Sequence, residues 1–182
     1  MFELSNQMVK VAHVNLRAEK HGEEDVLACD LKFETKMPNT TLSTLNASLA
    51  GCLYERGQEL DLGDDHVTKL RFPLIKYPLQ WQSEITGGKV TLHAPISEDD
   101  LVLFGDVNEL KLSPQDGGTV IVNFRVQFLP DGDQAARIPA MLGKMVEISV
   151  EKPVADSDDL AGDGGDDLDD NDPGGVDDNP EK

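Results

Sequence analysis

Lys69, Arg71, Lys76 and Lys89 fall in a stretch, His66–His93, whose one carboxylate is Glu84, within a chain of net charge −19. The same stretch carries Phe72, Tyr77 and Trp81, the last being the chain's single tryptophan. Cations that track phosphates and aromatic faces that stack bases are the combination that holds single-stranded nucleic acid, without any need for a sequence-reading motif. Lys69, Arg71, Lys76 and Lys89 are therefore candidate phosphate contacts, and Tyr77 and Trp81 candidate stacking platforms. Phe72 reads more readily as core. Trp81, with Lys76, Tyr77, Gln80 and Gln82 for company, reads as core or surface equally well. Lys10, Arg17, Lys20 and Arg125 could extend the basic surface, if the fold puts them on the same side.

Other chemistry finds little footing. His13, His21, His66 and His93 are scattered, with no HExxH, GxSxG, Walker or GxGxxG pattern in the chain. Asp64-Asp65-His66 and Glu98-Asp99-Asp100 read as solvated turns. Cys29 and Cys52 lack zinc-site spacing and sit in apolar runs, so both read as small buried hydrophobes. These residues lead us to expect a non-enzyme with no metal and no cofactor.

The elements that must position the basic stretch are mostly strands. Val9, Val11, Val14 and Leu16 roughly alternate, and Leu27, Cys29, Leu31 and Phe33 alternate cleanly after a polar break near Lys20–Asp25, which predicts a hairpin. Pro38-Asn39-Thr40-Thr41 supplies helix-start chemistry. Leu42, Leu45, Leu49 and Leu53 then predict one amphipathic helix of roughly 15 residues, stopped near Gly57. Further strands are expected over Val67–Phe72, Leu79–Ile85, Lys89–Ala94, Leu101–Leu112 and Thr119–Leu129, with Gly87-Gly88 and Gly117-Gly118 as hairpin turns. The pattern is strongest where Val120, Val122, Phe124, Val126 and Phe128 share one face. A short second helix over Asp131–Gly143, with Pro139 at a turn or kink, and a last strand around Val146–Val150 complete the domain. The fold class is α+β: a mainly antiparallel sheet or partly closed barrel with two short helices.

Residues 155–182 differ in kind. They hold twelve Asp or Glu, one Lys and no aromatic residue, too little apolar surface to offset ordering entropy, so a disordered acidic tail is expected after a globular domain of residues 1–154. A flexible coil of that length spans on the order of 30 Å and could compete with phosphate for a basic groove on its own domain. It could equally recruit basic proteins of replication or recombination. No apolar run approaches the roughly 20 residues of a membrane span, and the N-terminal residues are polar. A soluble cytoplasmic protein with no membrane partner is the expectation.

The runs FELSNQMVKVAHVNLRAEKHGEE, LACDLKFE, LRFP and GGTVIVNFRV resemble phage- and prophage-encoded proteins of unassigned function, over residues 1 to about 152. The overall plan is similar to that of acidic-tailed single-stranded DNA-binding proteins of phages and bacteria. Such tails usually end in an acidic-aromatic or acidic-Pro-Phe tip, whereas this chain ends Asn179-Pro180-Glu181-Lys182. The resemblance implies a phage-type accessory protein of DNA metabolism, acting in the host cytoplasm, that binds single-stranded DNA while its tail regulates access or recruits partners. The alternative is an acidic decoy that inhibits a host DNA-binding or defence protein. A negative domain carrying a negative tail favours that second reading.

Overall fold

The structure, a computed structural model, describes residues 2–57, 67–94 and 99–153. The expected disorder of residues 155–182, the turn at Asp64-Asp65-His66 and Glu98 lie outside the described residues.

Strand β1 (Leu4–His21) turns tightly into β2 (Glu24–Pro38), as the alternating hairpin predicts. A 3-10 turn at Asn39–Thr41 leads into α1 (Leu42–Leu45) and α2 (Leu49–Leu53), then into a ribbon of β3 (Tyr54–Arg56) and β4 (Val67–Leu70). After the short β5 (Leu79–Gln80) come β6 (Ile85–His93), β7 (Leu101–Gln115) and β8 (Thr119–Phe128). A third helix, α3 (Gly132–Arg137), continues as a 3-10 turn at Ile138–Met141, and β9 (Met145–Glu151) comes last. Six strands close a barrel in the order β7-β6-β9-β1-β2-β8, with β8 returning to β7, and every neighbouring pair is antiparallel. Closure satisfies both ladder edges of each barrel strand.

The interior is filled by the predicted alternation. Val120, Val122, Phe124, Val126 and Phe128 are all buried, opposite Leu31 and Phe33 of β2. Phe124 packs on Phe33 and Phe2 with ring centroids 5.3 and 5.1 Å away. Each fully buried side chain of this size contributes roughly 1.5–3 kcal/mol of transfer energy.

Bulges explain the strands whose alternation is imperfect. In β1, Leu4 points inward, but so do Val9 and Val11, of opposite parity, and then Val14, of opposite parity again. The register slips between Leu4 and Gln7 and between Val11 and His13. One extra residue at each slip moves the downstream side chains to the other face of the sheet. In β7, Leu101, Leu103 and Val107 point inward, then Leu110 and Leu112, with the slip between Asn108 and Lys111. Asn6 (φ 48°) and Glu109 (φ 52°), both in the left-handed region, mark the first and last of these bulges.

Several local expectations are corrected. The single helix predicted over Leu42–Leu53 is broken at Asn46, which is extended and whose Oδ1 accepts the Ser48 N–H at 2.9 Å. That side chain offers the backbone an alternative to the helical ladder. Gly87-Gly88 does not form a hairpin turn; both residues lie within β6, where the register slips between Ile85 and Gly88. The second helix stops at Arg137, ahead of Pro139, and starts on a capping box in which Asp131 and Gln134 satisfy each other's backbone N–H groups. Cys29 is buried as expected, and burial, with Asp30 beside it, pushes its thiol up to about 11. Cys52 is exposed, because Leu49 and Leu53, not Cys52, form the inner side of α2.

Residues 39–57 and 67–84 lie outside the six barrel strands, between β2 and β6; apart from β5, which pairs with β7, they are fastened mainly at the β7–β8 turn. Asn39 N–H donates to the Gly118 carbonyl at 2.9 Å and Gly117 N–H to the Thr68 carbonyl at 3.0 Å. Leu70 N–H donates to Asp116 Oδ1 at 3.0 Å. Tyr54, fully buried, donates through its hydroxyl toward the Thr119 carbonyl at 2.8 Å and accepts the Gln115 N–H at 3.1 Å.

Candidate nucleic-acid interface

The six residues singled out in the sequence divide into three groups. Lys69 and Lys89 are ion-paired across their sheets, with Glu55 at 3.1 Å and Glu151 at 3.3 Å. Arg71 and Lys76 are exposed on the connection from β4 to β5, and among the described residues neither has a carboxylate within ion-pair distance. Tyr77, half-buried, sits on the same connection, and Trp81 comes directly after β5. The connection exposes apolar side chains as well. Phe72, expected in the core, is 46% exposed, and Leu74 beside it is 98% exposed. The chain has left the β3–β4 ribbon by then, so the alternation that would have turned Phe72 inward no longer applies.

Trp81 is both core and surface. Its backbone N–H donates to the Leu110 carbonyl at 2.8 Å, and its ring packs on the edge of the core while remaining partly open. A hollow of about 380 Å³ lies against it, lined also by Gln80, Gln82, Ser83, Glu84, Asn108 and Glu109.

Glu109 connects this hollow to cations that sequence inspection did not assemble. The bulge of β7 turns its carboxylate onto the outer wall, where Oε1 lies 2.9 Å from Arg125 Nη1 and Oε2 lies 3.5 Å from Lys32 Nζ and 3.8 Å from Lys111 Nζ. Asn108 Oδ1 accepts from Arg125 Nε at 2.9 Å. Lys32, Arg125 and Asn108 are cross-strand partners on β2, β8 and β7, which fixes their side chains in one outward row. Three cations therefore surround one carboxylate next to an accessible indole. Ion pairs this exposed contribute at most about 1 kcal/mol each, so the cluster matters more for where it places charge than for stability. Arg125 was one of the possible extensions. Lys32 and Lys111 escaped notice because their neighbours in sequence carry no basic bias.

One row further along the wall, Asp30 is buried and takes Arg17 and, at 3.3 Å, Asn15 on its Oδ2. Burial disfavours its charge, but the amides of Gln127 and Asn15 and the guanidiniums of Arg17 and Arg125 outweigh that and hold its carboxyl below the usual range. A depressed folded-state value means stabilisation that is present above the unfolded value of about 3.9 and lost as pH falls through the folded value. Asp30→Asn is thus expected to be less stable than the parent at pH 7, with the gap closing below about pH 4. Urea unfolding at the two pH values checks this; a gap that stays constant would contradict it.

No helix among the described residues is long and apolar enough to cross a membrane. In comparisons with known proteins, no family model, no curated protein and no solved structure matches this chain.

Proposed function

We propose that the outer wall formed by β2, β7 and β8, together with Trp81 and the Arg71–Tyr77 connection, binds single-stranded DNA. The observation that carries this reading is the gathering of Lys32, Lys111 and Arg125 around Glu109 beside the open edge of Trp81. Phosphates would take up the positive charge left over by Glu109, and Trp81 would stack a base. Arg71 and Lys76 would carry the strand onward past Tyr77, while Lys69 and Lys89, already neutralised by Glu55 and Glu151, would contribute less. Residues 155–182 would act as a tethered competitor for the same cations, or as bait for basic proteins of replication or recombination. On this reading the protein is a phage-type accessory factor of DNA metabolism working in the host cytoplasm. The pairing of Lys69 and Lys89 favours a second reading, an acidic decoy for a host DNA-binding or defence protein.

Fluorescence anisotropy of a labelled single strand of about 30 nucleotides, long enough to cover one site, separates the two. The expected result is binding by the full chain that tightens when the chain is stopped at Val154. Trp81→Ala should weaken that binding by roughly 1–3 kcal/mol, the value of one stacked base. A strand that binds neither form, under conditions where a basic protein does, selects the decoy.

A further inference from the structure

On the barrel's outer wall, away from Trp81, three residues distant in sequence form a hydrogen-bonded line. His93, at the end of β6, places Nε2 2.9 Å from the Oγ of Ser149 on β9 and Nδ1 3.0 Å from Asp100 Oδ2. Ser149 faces Thr91 directly across the ladder, so His93 reaches it on the diagonal of the same face. Asp100 is itself fixed, since its Oδ1 accepts the Ala94 N–H at 2.9 Å. That N–H and His93 hold its carboxyl below the usual range. An ionised Asp100 can only accept, so Nδ1 carries the imidazole proton, and Nε2 is left as an acceptor facing the Ser149 hydroxyl.

The remaining partner of Ser149 is Asn6. The bulge in β1 that leaves Asn6 in the left-handed region lets its backbone N–H donate to Ser149 Oγ at 3.1 Å. Its Oδ1 accepts from the Ser149 hydroxyl at 3.1 Å, so the one hydroxyl proton must rotate from Asn6 to His93 Nε2 before it can be transferred. Strained non-glycine backbone concentrates at sites where geometry is held for function. A hollow of about 430 Å³ opens alongside, with His93, Glu147, Arg137 and Lys144 in its wall and Met8, Met141, Met145 and Val146 supplying an apolar part of the lining. Ser149 is not itself in that wall; its hydrogen-bond partner His93 and Glu147, two positions earlier on the same face of β9, are.

We propose that Ser149, His93 and Asp100 form a serine-nucleophile site that hydrolyses carboxylic esters of short aliphatic acids, with the acyl chain in the methionine-lined hollow. Ser149 Oγ bonds to the acyl carbon as its proton passes to His93 Nε2. The bond from that carbon to the alcohol oxygen breaks, and the alkoxide takes the proton from His93. Water then adds to the acyl-serine and gives a proton to Nε2; the carbon–Oγ bond breaks, Oγ recovers that proton, and the free acid leaves. Asp100 is a positioning residue that keeps the imidazole in the required tautomer. The Asn6 backbone N–H is the donor beside Oγ available to a developing oxyanion, whereas the Asn6 side chain presents its Oδ1, an acceptor. This site is independent of the nucleic-acid reading, because it shares no residue with it.

The test uses the full chain with a fluorophosphonate probe and with p-nitrophenyl butyrate. The expected outcome is one phosphonyl adduct mapped to Ser149, and ester turnover that Ser149→Ala abolishes. Asp100→Asn retains an acceptor for the Ala94 N–H, so its melting temperature should stay near the parent's while kcat falls by at least about 100-fold with little change in KM. His93→Gln should lose both labelling and turnover; should it fail to fold, the other two variants decide alone. A folded parent that gives no adduct at Ser149, or turnover unchanged in Ser149→Ala, overturns the proposal. A lowered melting temperature in Ser149→Ala without any adduct in the parent does the same, because it marks the line as structural only.

Discussion

Gly105→Ala is expected to destabilise the barrel by about 3–5 kcal/mol, the upper range for overpacking in a site that cannot relax. Gly105 lies in the middle of β7, with Gly88 of β6 on one side and Phe128 of β8 on the other. A Cβ placed there would come within 2.1 Å of the Gln127 carbonyl oxygen and 2.7 Å of the Phe128 Cβ. The first of these is backbone in a paired strand, so relief requires β7 and β8 to separate at the seam that closes the barrel. Gly88 is nearly as confined, with the Ile85 Cγ2 at 2.9 Å and the Glu151 carbonyl at 3.2 Å. Neighbouring glycines at this corner let the sheet bend tightly enough to close. Thermal unfolding should register the change as a fall of about 6–20 °C, taking 2–4 °C per kcal/mol for a domain of this size. Gly51→Ala is the control. It sits inside α2 with open space around the new methyl, and should be neutral or stabilising by up to about 1 kcal/mol. Equal behaviour of the two variants would refute the closure argument.

The second large effect concerns binding. Replacing Lys32, Lys111 and Arg125 together by alanine removes three cations while leaving Glu109 in place. If each neutralises one phosphate of a single strand, the log–log salt slope should flatten by about 2, at roughly 0.7 per contact. Counterion release alone then predicts a loss of about 500-fold at 50 mM salt and about 30-fold at 200 mM. Anisotropy titrations at the two salt concentrations measure both numbers. The circular dichroism spectrum should be unchanged, because the ion pairs are exposed and of little weight in stability. A slope that does not move would put the phosphates elsewhere, and the Arg71–Lys76 connection would be the next place to substitute.

The sequence and the fold agree where the information is local. The β1–β2 hairpin, the Gly117-Gly118 turn and the inward face of β8 depend on period-2 alternation and on glycines with positive φ, which neighbouring residues specify. Closure does not. It requires β9 to lie between β1 and β6, and β8 to pair with β2 as well as with its hairpin partner β7; the β9 and β2–β8 contacts join segments many tens of residues apart. The same distinction governs the sites. Trp81 and its basic surroundings stand out because they are contiguous. Lys32, Glu109, Lys111 and Arg125 are drawn from three strands and meet through register and a bulge, neither of which leaves a local mark. His93 and Ser149, separated by 56 positions, are joined only by the β6–β9 ladder. The helix predicted over Leu42–Leu53 failed for the opposite reason. Its leucine spacing is helical, but a single asparagine side chain diverts the backbone midway.

The excursion of residues 39–84 has a consequence for how such a protein could diversify. All six staves of the barrel lie outside that segment, and its fastenings gather largely on the β7–β8 turn through Asn39, Tyr54, Thr68 and Leu70. An exchange of the segment that kept those hydrogen bonds would leave the Ser149 line untouched while replacing Arg71, Lys76, Tyr77 and Trp81 wholesale. Ligand preference on one wall could then drift between lineages without any revision of the wall opposite, as a handle is changed on an unaltered vessel.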